Sequence, residues 1–482
     1  MKKTRYRILY YNLLVSALTL LLIYQLGLRE VYLLMFLYSF NSLVVFGLLA
    51  LEELKNFRGL NMNLLVLMGC FMRFVLPSIT KAWGAMNGEE YAFLRPENVI
   101  NDYMFPTVVW MNIYYSLFYW CFVRFESEYT IEDGIKPFFN RFNLSWVSVP
   151  LFIVGIAYNI VSSFVPAGII PDFINTIFGQ LATMAILIQM FNALFHPSKF
   201  NKLLFGFFIV VSIWQTTVYG FYKGAIMMNF VYYLLYYFLK CKYNHQRVIT
   251  PKLIIAGILL FLTIDLIIYP FMTTKRVVAG WDISTGMASN SYSNVDILLD
   301  VLQGRSLSEK GDNTAAGRLD AVEANSFFYK ECQVKGLRTM KIAKSNAELL
   351  VPRFINPNKH DSEAGLMVYA YATTGSFDNY DTALSNNYIG QFASAYLMGG
   401  VFLAILLALA NGWFIMFYYN YLLKHINNII AIILLVPLLL SAIYAFEEIH
   451  DGGVLRTGYN IAMMLVLAIV TKCFPRFLRI KY

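Results

Sequence analysis

The sequence predicts an all-α polytopic membrane protein, with about 12 transmembrane helices and one large, mainly helical extracytoplasmic loop. Three observations predict it. Of the 482 residues, 58% are hydrophobic and 14% charged, with a mean hydropathy of +0.56; a soluble domain carries about 25% charge. Apolar runs long enough to cross a bilayer recur along the chain. Lysine and arginine gather in alternate connections between those runs.

A span takes about 20 mainly apolar residues. Such runs fall at 8–28, 31–51, 62–79, 104–123, 145–165, 172–195, 203–219, 223–239, 253–272, 388–417, 429–446 and 457–473. The tenth is long enough to include a helix entering from outside. The opening MKKTRYR has the charge of a signal-peptide start. The apolar run behind it is long, however, and no small-residue cleavage pattern follows before Arg29, so it reads as an uncleaved first span.

With the N-terminus in the cytoplasm, the even connections and both tails hold 20 Lys and Arg, from Lys2, Lys3, Arg5 and Arg7 to Lys472, Arg476, Arg479 and Lys481. The short connections on the other side hold Arg29, Lys81, Arg95, Lys223 and Arg456. That bias predicts twelve spans with both termini cytoplasmic. The net charge of +9 is then mostly an imprint of topology, and no nucleic-acid partner is implied.

The expected organisation is a membrane domain over 1–272 (spans one to nine), the loop over 273–387, and spans ten to twelve over 388–482. The loop holds 12 Lys/Arg and 13 Asp/Glu and is not low in complexity, so it reads as a folded cap. Asn294–Gln303 places Val295, Leu298, Leu299 and Leu302 at helical spacing, and 320–334 also reads as helix. Gly304–Gly317 is a turn-rich connector. Cys332 is the loop's single cysteine, so the loop has no internal disulfide. A P-loop, a dinucleotide fingerprint, CxxC, HExxH and DxD are all absent from the sequence, so no metal and no cofactor are expected.

Within the loop, Pro352–His360 (PRFINPNKH) is a basic strip framed by prolines. Pro352 and Pro357 fix φ and remove N–H donors, which holds the strip extended. Arg353 is a planar fork suited to phosphate oxygens, Lys359 a point charge for the same purpose, and His360 a proton carrier near neutral pH. An anionic headgroup, above all a diphosphate, suits such a strip; solvated loop charges are the plain alternative. Lys223 is the charge in a turn between two spans, where it binds the same group or snorkels to the interface. Arg276 either joins them or, with Lys275, marks the end of span nine. Arg318 binds the diphosphate or pairs locally with Asp320 and Glu323.

Phe446–Gly453 (FEEIHDGG) packs Glu447, Glu448, His450 and Asp451 just before Arg456. Glu447 and His450 are the candidates for a base, and Arg456 is a further diphosphate ligand; a polar turn closing a helix is the alternative. Two charges fall inside spans. Arg73 and Asp265 are expected to pair, or to line an intramembrane cavity.

Four features together resemble a known family. They are the large outer loop late in the chain, Pro352-Arg353 followed by Pro357-Asn358-Lys359, the stretch Tyr388–Gly400 leading into the next span, and the turn Gly220–Gly224 with Lys223 inside it. This order is similar to that of the Wzy-like oligosaccharide repeat-unit polymerases of bacterial surface glycan assembly, which are related to the O-antigen ligases. Gln391 departs from the pattern, which has an acidic residue after the glycine.

The resemblance implies an architecture similar to the C-type glycosyltransferases and ligases, placed in the bacterial plasma membrane with the loop outside. It implies metal-independent transfer of a growing glycan from one polyprenyl diphosphate carrier to the sugar end of another lipid-linked unit. Arg353, Glu447 and His450 are then the catalytic candidates. Besides the lipid-linked oligosaccharide and membrane lipids, it implies a chain-length regulator and a flippase of the same pathway as partners. A ligase is the neighbouring reading. A lipid-linked oligosaccharide flippase is the third, against which the large folded loop argues.

Overall fold

The computed structural model describes residues 2–55, 62–126, 143–162, 181–215, 321–342, 364–378 and 390–424, with isolated positions between 178 and 344. Among these residues the chain is mainly helical, with a non-helical connection at 87–100 that holds one Ala92–Val99 bridge, and with one antiparallel pair of two-residue strands, β1 (Trp281–Asp282) and β2 (Met287–Ala288). Helix α1 (Lys2–Leu26) turns through Leu28–Glu30 into α2 (Tyr32–Lys55). Gly27 makes that reversal with a φ of 66°, in the left-handed region that glycine enters without a Cβ clash. Then come α3 (Met62–Cys70), a π-helical turn (Phe71–Val75) and α4 (Leu76–Met86) in one continuous rod. Helix α5 (Asn101–Arg124) returns alongside. Helices α6 (Ser145–Ser162), α7 (Leu181–Phe195) and α8 (Lys199–Gln215) pack on one another. From the predicted loop come α9 (Val322–Val334) and α10 (Ala364–Thr374), followed by α11 (Gln391–Lys424).

Among the described residues five stretches are long and apolar enough to cross a membrane: Lys2–Leu26, Tyr32–Lys55, Met62–Met86, Ser145–Ser162 and Gln391–Lys424. They coincide with the first, second, third, fifth and tenth expected spans. The expected spans at 429–446 and 457–473 lie outside the described residues, as do most of 223–239 and 253–272.

The fourth expected span is α5, whose 24 residues are long enough but too polar to stand among the five. Its position explains this. Helices α1, α2, α3, α9 and α11 all pack on it, so its polar side chains meet protein rather than lipid. Asn112 donates to Tyr38 at 2.6 Å and to Ser42 at 3.2 Å, while Asn12 donates to Asn112 Oδ1 at 3.0 Å and to Ser116 Oγ at 2.8 Å. Ser16 and Tyr38 share a hydroxyl–hydroxyl bond of 2.6 Å. All six side chains are buried, and the knot joins α1, α2 and α5.

One end of the bundle is closed by a buried charge cluster. Arg5 pairs with Glu53, and with Glu126 at 2.7 Å. Asn63 donates to both carboxylates at 3.2 Å, and Tyr119 donates to Glu53 at 2.8 Å. Tyr24, Lys81 and Tyr91 lie at the opposite end, as the alternating direction of α1, α2, α3–α4 and α5 requires.

Helices α6 and α7 meet at a glycine. A Cβ on Gly155 would lie 2.3 Å from the backbone nitrogen of Ala182. Small residues at such crossings let helix backbones approach. Gly155→Ala is therefore expected to destabilise the protein by about 1–3 kcal/mol, an overpacking cost against unyielding backbone. A lower melting temperature of the detergent-solubilised variant checks this, and an unchanged one contradicts the contact.

Helix α11 is two helices. Gly399 (φ −160°, ψ 23°) and Gly400 (φ 70°, ψ −159°) break it. Tyr114 shows how far the chain turns there. Its hydroxyl donates to Gln391 at 3.2 Å and is also hydrogen-bonded to Asn411. In one straight helix residues 391 and 411 would stand about 30 Å apart. Residues 391–398 therefore climb toward the Lys81 end and 401–424 descend, with Gly412 against Phe118 and Cys121, and Asn420 donating to the Phe125 carbonyl at 2.8 Å. The tenth span thus holds the extra helix its length suggested.

The predicted loop helix at 320–334 is α9, though it is buried along most of its length, as a cap helix resting on a surface would not be. In the other predicted loop helix Leu298, Leu299 and Leu302 are exposed, and Val301 is buried.

Candidate functional site

Helix α9 enters the bundle from the Lys81 end, and its first residues reach the level of Arg73, midway along α3–α4. The sequence accounts for that depth. In an α-helical ladder the Arg73 carbonyl would be paired by the N–H of residue 77, which is Pro77 and has none. The Ala321 N–H donates to that carbonyl at 3.2 Å instead. The rod accommodates the proline by a π turn, in which the Leu76 N–H reaches back to Phe71. Such turns occur often at functional sites.

From Ala321 the contacts run outward. Glu323 pairs with Lys81, whose ammonium lies 4.0 Å from the centroid of the Tyr91 ring. The Phe327 ring lies 5.1 Å from that of Phe93, tilted by 31°. Tyr329 shares a hydroxyl–hydroxyl bond with Tyr24, and its ring lies 5.1 Å from that of Tyr396. Lys330 donates to the Val99 carbonyl at 2.7 Å. Glu331 accepts from the Tyr371 hydroxyl at 2.7 Å, which ties α10 to α9.

Residues 391–398 run beside α9 in the same direction. Asn325 joins the two: its Oδ1 accepts the Ala393 N–H at 2.8 Å and its Nδ2 donates to the Ala321 carbonyl. Gly390 leaves room for that amide, since a Cβ there would sit 2.3 Å from the Asn325 nitrogen. Further out, Gln333 donates to the Tyr396 hydroxyl at 2.5 Å, and the Arg338 guanidinium lies 5.1 Å from the Tyr396 ring. The Thr339 N–H closes the end of the short helix on the Leu397 carbonyl at 3.0 Å. Arg73, Lys81 and Arg338 are thus distributed along the seam where the loop is built into the membrane bundle, amid tyrosines 24, 91, 329 and 396.

Arg73 is the one expected site residue among the described residues, where it is half-buried on the π turn. Its expected partner Asp265 lies outside them. So do Arg353, Lys359, His360, Lys223, Arg276, Arg318, Glu447, His450 and Arg456. Glu323, weighed as a local partner of Arg318, pairs with Lys81. Gln391, the departure from the acidic pattern, is buried and accepts from Tyr114. Lys81, Asn325 and Arg338 join the seam without standing out in the sequence as site residues. A lone asparagine beside the aromatic residues of α9 was the available signal for Asn325. Among the described residues no three His, Cys, Asp or Glu side chains converge to hold a metal.

Cys332 is buried on α9, and burial pushes its thiol up to about 12 against the opposing pull of Arg338. The thiolate is the reactive form, so Cys332 is expected to label with maleimide at least about tenfold more slowly than a free cysteine. Its folded pKa is raised, so its contribution to stability is complete below the ordinary thiol value near 9 and is lost as pH rises through about 12. Cys332→Ala is therefore expected to blunt alkaline unfolding in that window. Rapid labelling of the folded protein contradicts the buried placement.

These features define the class: an α-helical membrane protein with a segment between spans built back into the bundle. We find no matching family model, no matching curated protein and no matching solved structure.

Proposed function

We propose that the chain is an oligosaccharide repeat-unit polymerase of the bacterial plasma membrane, with about twelve spans, both termini cytoplasmic and the segment 273–387 outside. It joins polyprenyl-diphosphate-linked glycan units by moving the growing chain from its carrier to the sugar end of the next unit. The observation that carries this reading is the seam of α9 with the α3–α4 rod, which brings a half-buried arginine to mid-bundle beneath a tyrosine-rich outer end.

The chemistry follows from that arrangement. As the bond between sugar and diphosphate breaks, negative charge grows on the departing polyprenyl diphosphate. Fixed guanidinium and ammonium groups stabilise that charge, and they cost nothing to reorganise once the fold holds them. Arg353, Lys359 and His360 are the principal ligands in this proposal, with Lys223, Arg276, Arg318 and Arg456 around them. Arg73 lines the intramembrane side, with Asp265 as its partner. Glu447 or His450 takes the proton from the acceptor hydroxyl. Tyrosine faces suit sugar rings.

The test is reconstitution. The purified chain in liposomes is given a polyprenyl-diphosphate-linked repeat unit as sole substrate. The proposal expects products lengthened by whole units, with one polyprenyl diphosphate released per unit added. Transfer only to a different acceptor indicates a ligase, and movement across the bilayer without lengthening indicates a flippase.

A further inference from the structure

We propose that Pro77 is a positioning residue: by withholding an N–H from the Arg73 carbonyl, it hands that carbonyl to Ala321 and so sets both the docking of α9 and the bearing of Arg73.

The contact stands at the head of a continuous relay. The Arg73 carbonyl accepts from the Ala321 N–H at 3.2 Å. The Ala321 carbonyl accepts from Asn325 Nδ2, and Asn325 Oδ1 accepts from the Ala393 N–H at 2.8 Å. Gln391, two residues earlier, accepts from Tyr114 of α5. Four elements thus take their register from one carbonyl: the α3–α4 rod, α9, the short helix of α11 and α5. Pro77 is itself buried in the rod, and the π turn immediately before it is the local price of its missing donor. An ordinary residue at 77 restores a donor that reclaims the Arg73 carbonyl for the rod. The π turn then has no cause, Arg73 turns about the helix axis, and Ala321 loses its acceptor.

Docking is read from Cys332, buried on α9, by its maleimide labelling rate in the full-length protein, with the modified peptide located by mass spectrometry. Pro77→Ala is expected to raise that rate by roughly tenfold, the scale of one hydrogen bond in a local opening equilibrium. Ala321→Pro removes the other partner of the same bond and is expected to do as much, with the double variant no faster than either single one. The discriminating variant carries the α-hydroxy acid analogue of alanine at position 77, an ester with no N–H. It lacks the proline ring but also lacks the donor, so it is expected to label at the wild-type rate. An analogue that labels like Pro77→Ala overturns the proposal, because ring rigidity is then what matters. An unchanged rate in Pro77→Ala, or additive effects in the double variant, overturns it as well.

The bearing of Arg73 rests on the function proposed above and is read separately, as a raised KM for the lipid-linked donor in Pro77→Ala that the ester analogue restores. An unchanged KM in Pro77→Ala removes the Arg73 half of the proposal. If the wild-type protein does not lengthen glycans, the function fails while the labelling result stands.

Discussion

Alanine in place of Arg353 is expected to remove the polymer while the protein keeps its normal abundance. In the proposed function, the planar Arg353 guanidinium, between Pro352 and Pro357, would meet a diphosphate with two parallel donors. Its contribution is largest when the leaving group carries most charge. Loss of one such preorganised donor costs about 10²–10³ in rate, enough to erase a ladder that requires many successive transfers. Lysine at 353 keeps the charge but loses the fork, so a shorter, fainter ladder is expected. A glycan gel beside a quantitative blot decides it. Normal polymer from Arg353→Ala reduces Pro352–His360 to a structural loop.

Arg5→Ala is expected to have the largest effect on stability. The Arg5 side chain is 5% exposed and that of Glu53 4%, and the guanidinium bonds to the carboxylates of Glu53 and Glu126. Deleting the cation leaves Glu53 and Glu126 facing each other across Asn63 without it. Breaking a buried pair from one side costs about 3–5 kcal/mol, because the remaining charge stays desolvated. The variant should therefore be scarce in the membrane and melt well below the wild type. Arg5→Ala combined with Glu53→Gln should recover part of the loss, which a size-exclusion profile and a melt would both show. Full stability of Arg5→Ala would mean that the cluster is not the clamp joining α1, α2, α3 and α5.

The five apolar spans among the described residues were the most legible part of the fold, because lipid demands long apolar runs whatever their neighbours are. Helix α5 shows the limit of that signal. Its asparagines, serines and tyrosines lower its hydropathy, and only the packing reveals that α1, α2 and α5 satisfy them together. Helix α9 was legible as a helix but not as an inserted one. Its depth depends on a carbonyl in another span, and Pro77 and Ala321 are too far apart in sequence for any local pattern to join them. The break in α11 was written as Gly399–Gly400, but two glycines in an apolar run specify neither a turn nor its direction. Tyr114 supplies both by meeting Gln391 and Asn411 together. Among the candidate residues, Arg73 was legible because a charge inside a span is costly. Lys81, in sequence one of the charges on the outer side, pairs with Glu323, a partner no local pattern joins to it.

The most direct measurement is a glycan gel from a strain lacking this chain, run beside an extract of its lipid-linked intermediates. Loss of a repeat-unit polymerase is expected to leave surfaces carrying single repeat units, with the ladder gone and single units accumulating on the carrier. Full-length polymer still attached to the lipid carrier, or repeat units held on the cytoplasmic face, would contradict it.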